Sequence, residues 1–215
     1  MNTHKPIISI VMATHNRCAV VERTLSQLDT CGLDRTDYET IVVDNDSTDG
    51  TPAAIAHRVN RLICLPRNAG STAKAFGADE ARGRYIVFLD DDSHPRPGCL
   101  ERMIGKFENQ AHLGAAGFTV HLPTGRLEGG ALPGVFVGCG VGLRAEAYNE
   151  VSGLDRTFFM QAEEYDLCFR LAAAGWDVEV FDDLHVEHEK TPQQRRSDRL
   201  QRVPGGHLAR GLPEV

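Results

Sequence analysis

The stretch YIVFLDDD, residues 85–92, runs from five apolar residues directly into three aspartates. A short continuous apolar run is typical of a strand that is buried on both faces of a sheet. Three adjacent carboxylates repel one another, and a divalent cation relieves the repulsion because ions such as Mg²⁺ take oxygen ligands. An acidic turn is the plainer alternative, since aspartate is common in turns. The stretch therefore predicts a buried strand that ends at a cation site.

The chain has 215 residues, 41% of them hydrophobic and 25% charged, which is typical of one globular domain. The formal net charge of −7 argues against a nucleic-acid-binding surface. No apolar run is long enough for a transmembrane segment and the first residues lack a signal-peptide pattern, so we expect a cytoplasmic protein, either free or peripheral at a membrane. Six singly spaced cysteines predict small core residues in a reducing compartment. The composition predicts no particular oligomeric state.

Short β-branched runs alternate with helical segments through the first part of the chain. Strands are predicted at residues 7–12, 40–43, 61–65 and 85–89, and helices at 20–28, 52–59 and 72–81. This alternation is typical of a parallel sheet with helices on both faces and right-handed crossovers, in which ligands bind beyond the carboxyl ends of the strands. Polar clusters at residues 14–17, 44–47 and 90–92 follow three of these strands. Their shared position predicts a binding site at that edge of the sheet.

The pattern changes after residue 95. Helices are predicted at residues 97–107 and 163–174, and strands at 115–121 and 176–181. Residues 122–134 are rich in glycine and proline, which is typical of an irregular loop. Residues 1–192 are expected to form one domain, and the very polar residues 193–215 are expected to form a loosely ordered tail.

Several common sites are excluded by a missing residue. The turn at residues 44–50 resembles a calcium loop but has Ala56 where that loop needs a glutamate. The glycines at residues 138–142 lack the third glycine of a dinucleotide loop, and neither a P-loop nor a G-x-S-x-G sequence is present. Asp44 is better explained as an acceptor for a nucleobase or ribose, with capping of the following helix as the alternative.

Two later segments carry candidate catalytic groups. The run EEYD, residues 163–166, opens a helix, where carboxylates are favoured by the helix dipole and where one of them could act as a general base. In the extended run HVEH, residues 185–188, alternation places His185 and Glu187 on one side and His188 on the other. A histidine near the acidic triplet could complete a metal shell, with an ordinary surface histidine as the alternative.

Together these motifs resemble the family 2 glycosyltransferases. The motifs are, in chain order, ISIVMATHNR at residues 8–17, IVVDNDSTDGT at 41–51, NAG at 68–70, LDDD at 89–92, GLD at 153–155 and EEYDL at 163–167. Each motif alone is weak, but all of them in this order are highly specific. The resemblance implies a single α/β domain of the GT-A fold, with a mostly parallel central sheet flanked by helices. It also implies an inverting transfer of a sugar from a nucleotide-diphosphate donor to a hydroxyl, in a single displacement.

The resemblance implies roles for individual residues. The metal, Mg²⁺ or Mn²⁺, would be held by Asp92, His188 and Asp90. Donor contacts are implied for Thr14, Asn16, Arg17, Asp44, Asp46, Asn68, Gly70, Lys74, Asp90 and Asp91. The donor would be UDP-, dTDP- or GDP-linked, and the acceptor would be an unidentified hydroxyl, which the loop at residues 122–134 could select or cover. Glu164 stands where the family usually has an aspartate, so the base is either Glu164 or Glu163.

Two alternatives to a glycosyltransferase are open. A sugar-1-phosphate nucleotidyltransferase would have a glycine-rich phosphate loop after the first strand, where this chain has Ala13-Thr14-His15-Asn16. A catalytically weak nucleotide-sugar-binding protein is supported by Glu164 in the place of the usual aspartate and by the short C-terminal region. Product formation with a panel of donors distinguishes these alternatives.

Overall fold

The computed structural model describes residues 5–129, 132, 134–160 and 162–190, so the predicted tail at residues 193–215 lies outside the described residues. Within these ranges nine strands form one sheet. The strands are β1 Ile8–Thr14, β2 Tyr38–Asp44, β3 Arg61–Cys64, β4 Tyr85–Asp90, β5 Ser93–Pro95, β6 Leu113–His121, β7 Leu127–Glu128, β8 Gly140–Arg144 and β9 Asp177–His188. The helices are α1 Cys18–Leu28, α2 Thr51–Ile55, α3 Ala73–Ala78, α4 Cys99–Asn109, α5 Ala145–Glu150 and α6 Glu163–Ala173, with a 3₁₀ turn at Gly70–Thr72.

The first half of the sheet is parallel, as the sequence predicts. The strand order β3-β2-β1-β4 has a parallel pairing at each step. The apolar residues in the middle of β1, β2 and β4 are fully buried, which explains the continuous apolar runs. The register pairs Thr14 with Asp44 and Ala13 with Asp90, so the polar residues that follow these three strands share one edge of the sheet.

The second half of the sheet is mixed. Strand β8 is antiparallel to both β4 and β6, β9 is parallel to β6, and the edge strand β5 is antiparallel to β9. The mostly parallel arrangement therefore applies to the first half, and the α/β sheet as a whole is mixed. Strand β9 continues past the predicted 176–181 to His188 because β6 and β5 pair with it there. The sequence patterns predict none of β5, β7, β8 and α5, because the two to six residues of each segment show no clear apolar period.

Helices cover both faces of the sheet with apolar side chains. On one face, Leu25 of α1 and Phe107 of α4 belong to one buried cluster with the strands. On the other face, Ala75 of α3, Tyr148 of α5 and Leu171 of α6 belong to a second cluster. None of the described helices combines the length and hydropathy that a membrane span requires. The two clusters hold the strand ends rigidly where the candidate site lies.

Candidate active site

The acidic triplet after β4 is held by residues from the N-terminal part of the chain. Arg17 donates from Nη1 to Asp91 Oδ1 and from Nη2 to Asp92 Oδ2, at 2.6 Å in each case. Thr14 Oγ1 donates to Asp91 Oδ2 at 2.7 Å, and Thr24 Oγ1 donates to the Asp91 carbonyl at 2.6 Å. Both aspartates are buried, so the guanidinium supplies the compensating charge that they need. The structure brings the predicted residues Thr14, Arg17 and Asp91 together, while their contact with a donor stays a prediction.

The two buried aspartates of the triplet differ in how readily they ionise. Burial raises the pKa of Asp91 to about 7, and the opposing effects of Arg17 and Thr14 offset only part of the rise. Burial alone would also raise the pKa of Asp92, but the hydrogen bond with His188 and the charge of Arg17 bring it below its usual range. Of these two carboxyl groups, Asp92 is therefore the one that carries a full negative charge at neutral pH.

His188, at the end of β9, faces the triplet. Its Nε2 lies 3.1 Å from Asp92 Oδ1 and 3.8 Å from Asp90 Oδ2. Its Nδ1 donates to Glu128 Oε2 at 2.7 Å. Burial lowers the pKa of His188, but hydrogen bonds with Asp92, Cys139 and Glu128 outweigh this effect and raise the pKa to about 12. The surroundings of His188 thus strongly favour positive charge at this point.

The donor atoms at this position fit a divalent cation. A carboxylate oxygen of Asp90, the thiol of Cys139 and an imidazole nitrogen of His188 lie within 4.8 Å of one another. Asp92 Oδ1 lies beside the same imidazole but is not part of that group of three. Because Glu128 engages Nδ1, Nε2 is the nitrogen left for a metal, as is usual for metal-ligating histidines. The structure thus brings Asp90 and His188, two of the three predicted metal ligands, into one group, whereas Asp92 contacts the imidazole from outside that group, and metal binding by all three stays a prediction.

Lys74 on α3 is buried between the triplet and the loop before β8. Its Nζ donates to Asp90 Oδ1 at 2.5 Å and to the Gly138 carbonyl at 2.8 Å. Burial lowers the pKa of Lys74, but the charge and hydrogen bond of Asp90, together with the charges of Cys139 and Glu164, outweigh burial and raise the pKa, so the side chain stays an ammonium. Two of its three N–H groups have protein acceptors, which leaves one for the predicted donor contact.

The two candidate bases open α6 and differ in their surroundings. Glu164 Oε1 accepts from the N–H of Gly138 at 3.2 Å, the same residue whose carbonyl binds Lys74. Burial and the neighbouring charge of Glu163 raise the pKa of Glu164. Glu163 is only 5% exposed, and its Oε2 has no hydrogen-bond partner among the described residues. Glu164 is therefore the carboxylate that is linked, through Gly138 and Lys74, to the acidic triplet.

Asp44 and the NAG segment lie beside the ends of β1 and β2. Asp44 is 2% exposed and accepts at Oδ2 from the N–H of Ser47 at 3.1 Å, whereas its Oδ1 has no partner in the described part of the chain. Asn68 Oδ1 accepts from Asn45 Nδ2 at 3.0 Å and from the N–H of Gly70 at 2.8 Å. Asn68 thus holds the loop together, and its contact with a donor stays a prediction, as does that of Gly70.

Asn16 and Asp46 lie in exposed turns after β1 and β2. Their φ angles are 53° and 70°, in the left-handed region that asparagine and aspartate tolerate. Asn16 accepts at Oδ1 from the N–H of Thr48 at 2.7 Å and donates from its own N–H to Ser47 Oγ at 2.8 Å. These bonds join the two strand-end loops. Donor binding by Asn16 or Asp46 stays a prediction.

Unpartnered polar atoms are concentrated in this site. Within the described residues, four buried side-chain polar atoms have no hydrogen-bond partner, namely Arg17 Nε, Asp44 Oδ1, Glu163 Oε2 and Asp183 Oδ1. Buried polar atoms in folded proteins are nearly always hydrogen-bonded, so each exception needs an explanation. Three of the four belong to residues that the sequence singles out for the site, so these atoms can accept a bond from, or donate one to, a bound molecule.

The sequence motifs do not point to Glu128 or Cys139. Glu128 lies in the segment at residues 122–134, and the structure places the short strand β7 in the described part of that segment. Cys139 is expected from sequence to be a core residue, but the structure places it in the acidic cluster, because β8 pairs with β4 and carries the preceding loop to the triplet. The only local signal at Cys139 is a pair of flanking glycines.

The family model described as "Glycosyl transferase family 2" matches residues 9–158, more than half of the chain. The chain belongs to this family. The matched range contains Arg17, Asp44 and the acidic triplet, and it ends before Glu164 and His188. Family membership, which the sequence motifs predict, is therefore confirmed.

Solved structures show that this family 2 chain has the predicted GT-A fold. Mannosyltransferase PcManGT from Pyrobaculum calidifontis, in complex with GDP-Man and Mn²⁺, superposes with a TM-score of 0.74 at 17% identity, covering 92% of this chain and 61% of that one. S. aureus TarS 1–349 in complex with UDP gives a TM-score of 0.71 at 15% identity, covering 88% and 62%.

The names of two curated relatives refer to the biosynthesis of succinoglycan and of teichuronic acid. Succinoglycan biosynthesis protein ExoO of Rhizobium meliloti is 38% identical over 104 residues, 46% of this chain and 29% of that protein. The putative teichuronic acid biosynthesis glycosyltransferase TuaG of Bacillus subtilis is 26% identical over 161 residues, 65% of this chain. The family 2 chain spans 62% of the length of TuaG.

Proposed function

We propose that this family 2 chain is an inverting glycosyltransferase that moves a sugar from a nucleotide-diphosphate donor to an acceptor hydroxyl with the help of Mg²⁺ or Mn²⁺. The observation that carries the proposal is the set of polar atoms on Arg17, Asp44 and Glu163 that are buried without a partner in the described residues. One is an N–H that needs an acceptor, and two are carboxylate oxygens that need donors. A phosphorylated nucleoside joined to a sugar offers both kinds of group.

Arg17 and Asp44 suit two parts of such a donor. Arg17 Nε can donate to the diphosphate, whose charged oxygens match a guanidinium. Asp44 Oδ1 can accept from an N–H of the base or a hydroxyl of the ribose. PcManGT was solved with GDP-Man, and TarS with UDP and with UDP-GlcNAc, which supports a nucleotide-sugar donor and leaves the base open.

Asp90, Asp92 and His188 would hold the divalent cation. When bound, it would stabilise the negative charge that develops on the departing diphosphate. Arg17 and Lys74 already pair with the aspartates, so the carboxylates are preorganised and need not move when the donor arrives. The Mn²⁺ in PcManGT supports a metal-assisted reaction here.

Glu164 would remove the proton from the acceptor hydroxyl. The acceptor oxygen then attacks the anomeric carbon from the face opposite the diphosphate, which leaves with the electron pair of the broken C–O bond, so the configuration inverts. The raised pKa of Glu164 makes the carboxylate a stronger base. A double displacement would need a separate carboxylate nucleophile, and a single displacement needs only this one base.

Two variants separate donor binding from chemistry. Glu164→Gln should keep donor binding, because Glu164 does not contact the triplet, while the transfer rate falls about 10²–10⁴-fold. Asp92→Asn should lose transfer and also bind the donor less tightly in the presence of Mn²⁺. The measurements are initial rates with UDP-, dTDP- and GDP-linked sugars, and calorimetric titration of the same donors with and without Mn²⁺.

Glu163→Gln is the matched control for Glu164→Gln. Loss of transfer in Glu163→Gln alone would assign the base to Glu163. Donor binding by the wild-type protein without transfer or hydrolysis would favour the weakly catalytic binding protein, and pyrophosphate release from a nucleoside triphosphate and a sugar 1-phosphate would favour the nucleotidyltransferase. Normal turnover in both Asp92→Asn and Glu164→Gln would contradict the site assignment.

A further inference from the structure

Cys139 lies immediately before β8, and its backbone is tied to the end of β4. Ser93 is fully buried, donates from Oγ to the Cys139 carbonyl at 2.8 Å, and accepts from the N–H of Asp90 at 2.8 Å. The side chain of Cys139 is 2% exposed. The position of this thiol relative to the triplet is therefore determined by packed structure rather than by a mobile loop.

The thiol shares its position with two other potential ligands. It lies with a carboxylate oxygen of Asp90 and an imidazole nitrogen of His188, all within 4.8 Å of one another. In the ranges that the structure describes, this is the one group of three histidine, cysteine, aspartate or glutamate side chains that meets so closely. Other buried cysteines, such as Cys31 and Cys99, belong to the apolar cluster on one face of the sheet.

The orientation of His188 makes the group suitable for a metal. Glu128 engages Nδ1 at 2.7 Å, and Lys190 in turn donates to the other oxygen of Glu128 at 2.7 Å. The imidazole is thus fixed with Nε2 toward the aspartates, which is the carboxylate–histidine arrangement found beside protein-bound metals. A cysteine in a plain core would pack against apolar groups, whereas this one packs against an imidazole and a carboxylate.

We propose that Cys139 is a thiolate ligand of the cation held by Asp90 and His188, and that it makes the site bind Zn²⁺, Co²⁺ and Cd²⁺ more tightly than Mg²⁺. The inference rests on the cation site of the proposed function and adds a ligand to it. The S–H proton passes to solvent as the sulfur–metal bond forms, so the bound sulfur is a thiolate. Thiolate and imidazole ligands favour zinc and other soft ions, whereas oxygen ligands alone favour Mg²⁺.

Cobalt(II) is the probe that tests the ligand directly. A thiolate bound to cobalt gives an intense charge-transfer absorption in the near ultraviolet, which oxygen and nitrogen ligands do not give. Titration of the wild-type protein with cobalt chloride should show this band, Cys139→Ser should lose it, and Cys31→Ser, which changes a buried cysteine outside the site, should keep it. In calorimetry the Kd for Cd²⁺ should rise in Cys139→Ser by at least the roughly 10–100-fold typical of losing an outer-shell partner.

The outcomes separate this inference from the proposed function. Cobalt binding to the wild-type protein without the band, or equal Cd²⁺ affinity in the wild-type protein and Cys139→Ser, would overturn the thiolate ligand and leave the cation site in place. Sugar transfer by a protein that binds neither Mg²⁺ nor Mn²⁺, and neither Co²⁺ nor Cd²⁺, would overturn the cation site itself. Thermal unfolding checks that the variants are folded, and cadmium NMR of the wild-type protein reports sulfur ligation without any substitution.

Discussion

The two halves of the sheet contribute to the site in different ways. The N-terminal half, β1 to β4, supplies charged groups that are already paired with each other, namely Arg17 with Asp91 and Asp92, and Lys74 with Asp90. The C-terminal half, β5 to β9 with α6, supplies groups from four separate segments, namely Glu128, Cys139, Glu164 and His188, of which Glu128 and His188 are paired with each other. The difference suggests a division of labour in the proposed reaction: the first half is a preorganised charged frame that includes the proposed ligands Asp90 and Asp92, and the second half adds the proposed ligand His188 and the proposed base.

Two contacts at the start of α3 join the halves near the site. The carbonyl of Phe159 accepts from the N–H of Ser71 at 2.9 Å, next to Gly70, and the carbonyl of Gly138 accepts from Lys74. Phe159 lies just before α6, which begins with the candidate bases. Disturbing the first contact should therefore move the bases without touching the triplet.

The largest effect that we expect at this junction is that of Gly70→Ala. Gly70 has a φ of +67°, and a Cβ atom there would lie 1.7 Å from the Phe159 carbonyl oxygen, which is backbone and cannot rotate away. Strain and displacement together should lower the free energy of unfolding by about 3 kcal/mol or more and should reduce transfer sharply. Urea unfolding and initial rates measure the two effects.

Gly50→Ala is the matched control for this change. Gly50 has a φ of +84°, but a Cβ atom there meets nothing within 4 Å, so only the backbone strain of about 1 kcal/mol should appear. Equal losses in the free energy of unfolding of the two variants would show that the Phe159 contact does not hold the two halves of the sheet together.

The next effect in size is expected from Glu128→Gln. The carboxylate of Glu128 fixes the imidazole of His188 and is held in its charged form, because the hydrogen bond with His188 lowers its pKa to about 2. Its loss should raise the Kd for Mn²⁺ about 10–100-fold, or about 1.4–2.7 kcal/mol. Calorimetry measures this, with Glu187→Gln as control because Glu187 pairs with Arg96 instead. An unchanged Kd for Mn²⁺ in Glu128→Gln would show that Glu128 of the C-terminal half does not support metal binding.

The smallest effect is a shift in the pH profile. Glu164 works as a base only when it is deprotonated, so kcat/KM should rise with pH through a pKa that burial and Glu163 raise above the ordinary 4.5. Glu163→Gln removes the neighbouring negative charge, so the acidic limb should move to lower pH while transfer persists. A limb that stays in place, or moves to higher pH, would show that the two carboxylates do not interact as the structure implies.

The sequence predicts those parts of the site in which the candidate functional residues stand at the end of an apolar strand. Asp44 and the triplet come directly after apolar strands, and the parallel register brings those ends together without further information. Glu128 and Cys139 are different, because their roles depend on which distant strand pairs with β8 and β6. That pairing is decided by side-chain packing between residues far apart in the chain, and the local periodicity of apolar residues does not predict it.

By itself, the amino-acid sequence determined the α/β alternation, the acidic edge of the sheet and the membership in family 2, because strand burial and turn chemistry are local properties. The tertiary structure alone decided that His188 is held by Glu128, that Lys74 and Gly138 join Glu164 to Asp90, and that the thiol of Cys139 lies beside Asp90 and His188. The physical reason is that antiparallel β8 and the long strand β9 carry Gly138, Cys139 and His188 to the triplet from segments separated from it by tens of residues.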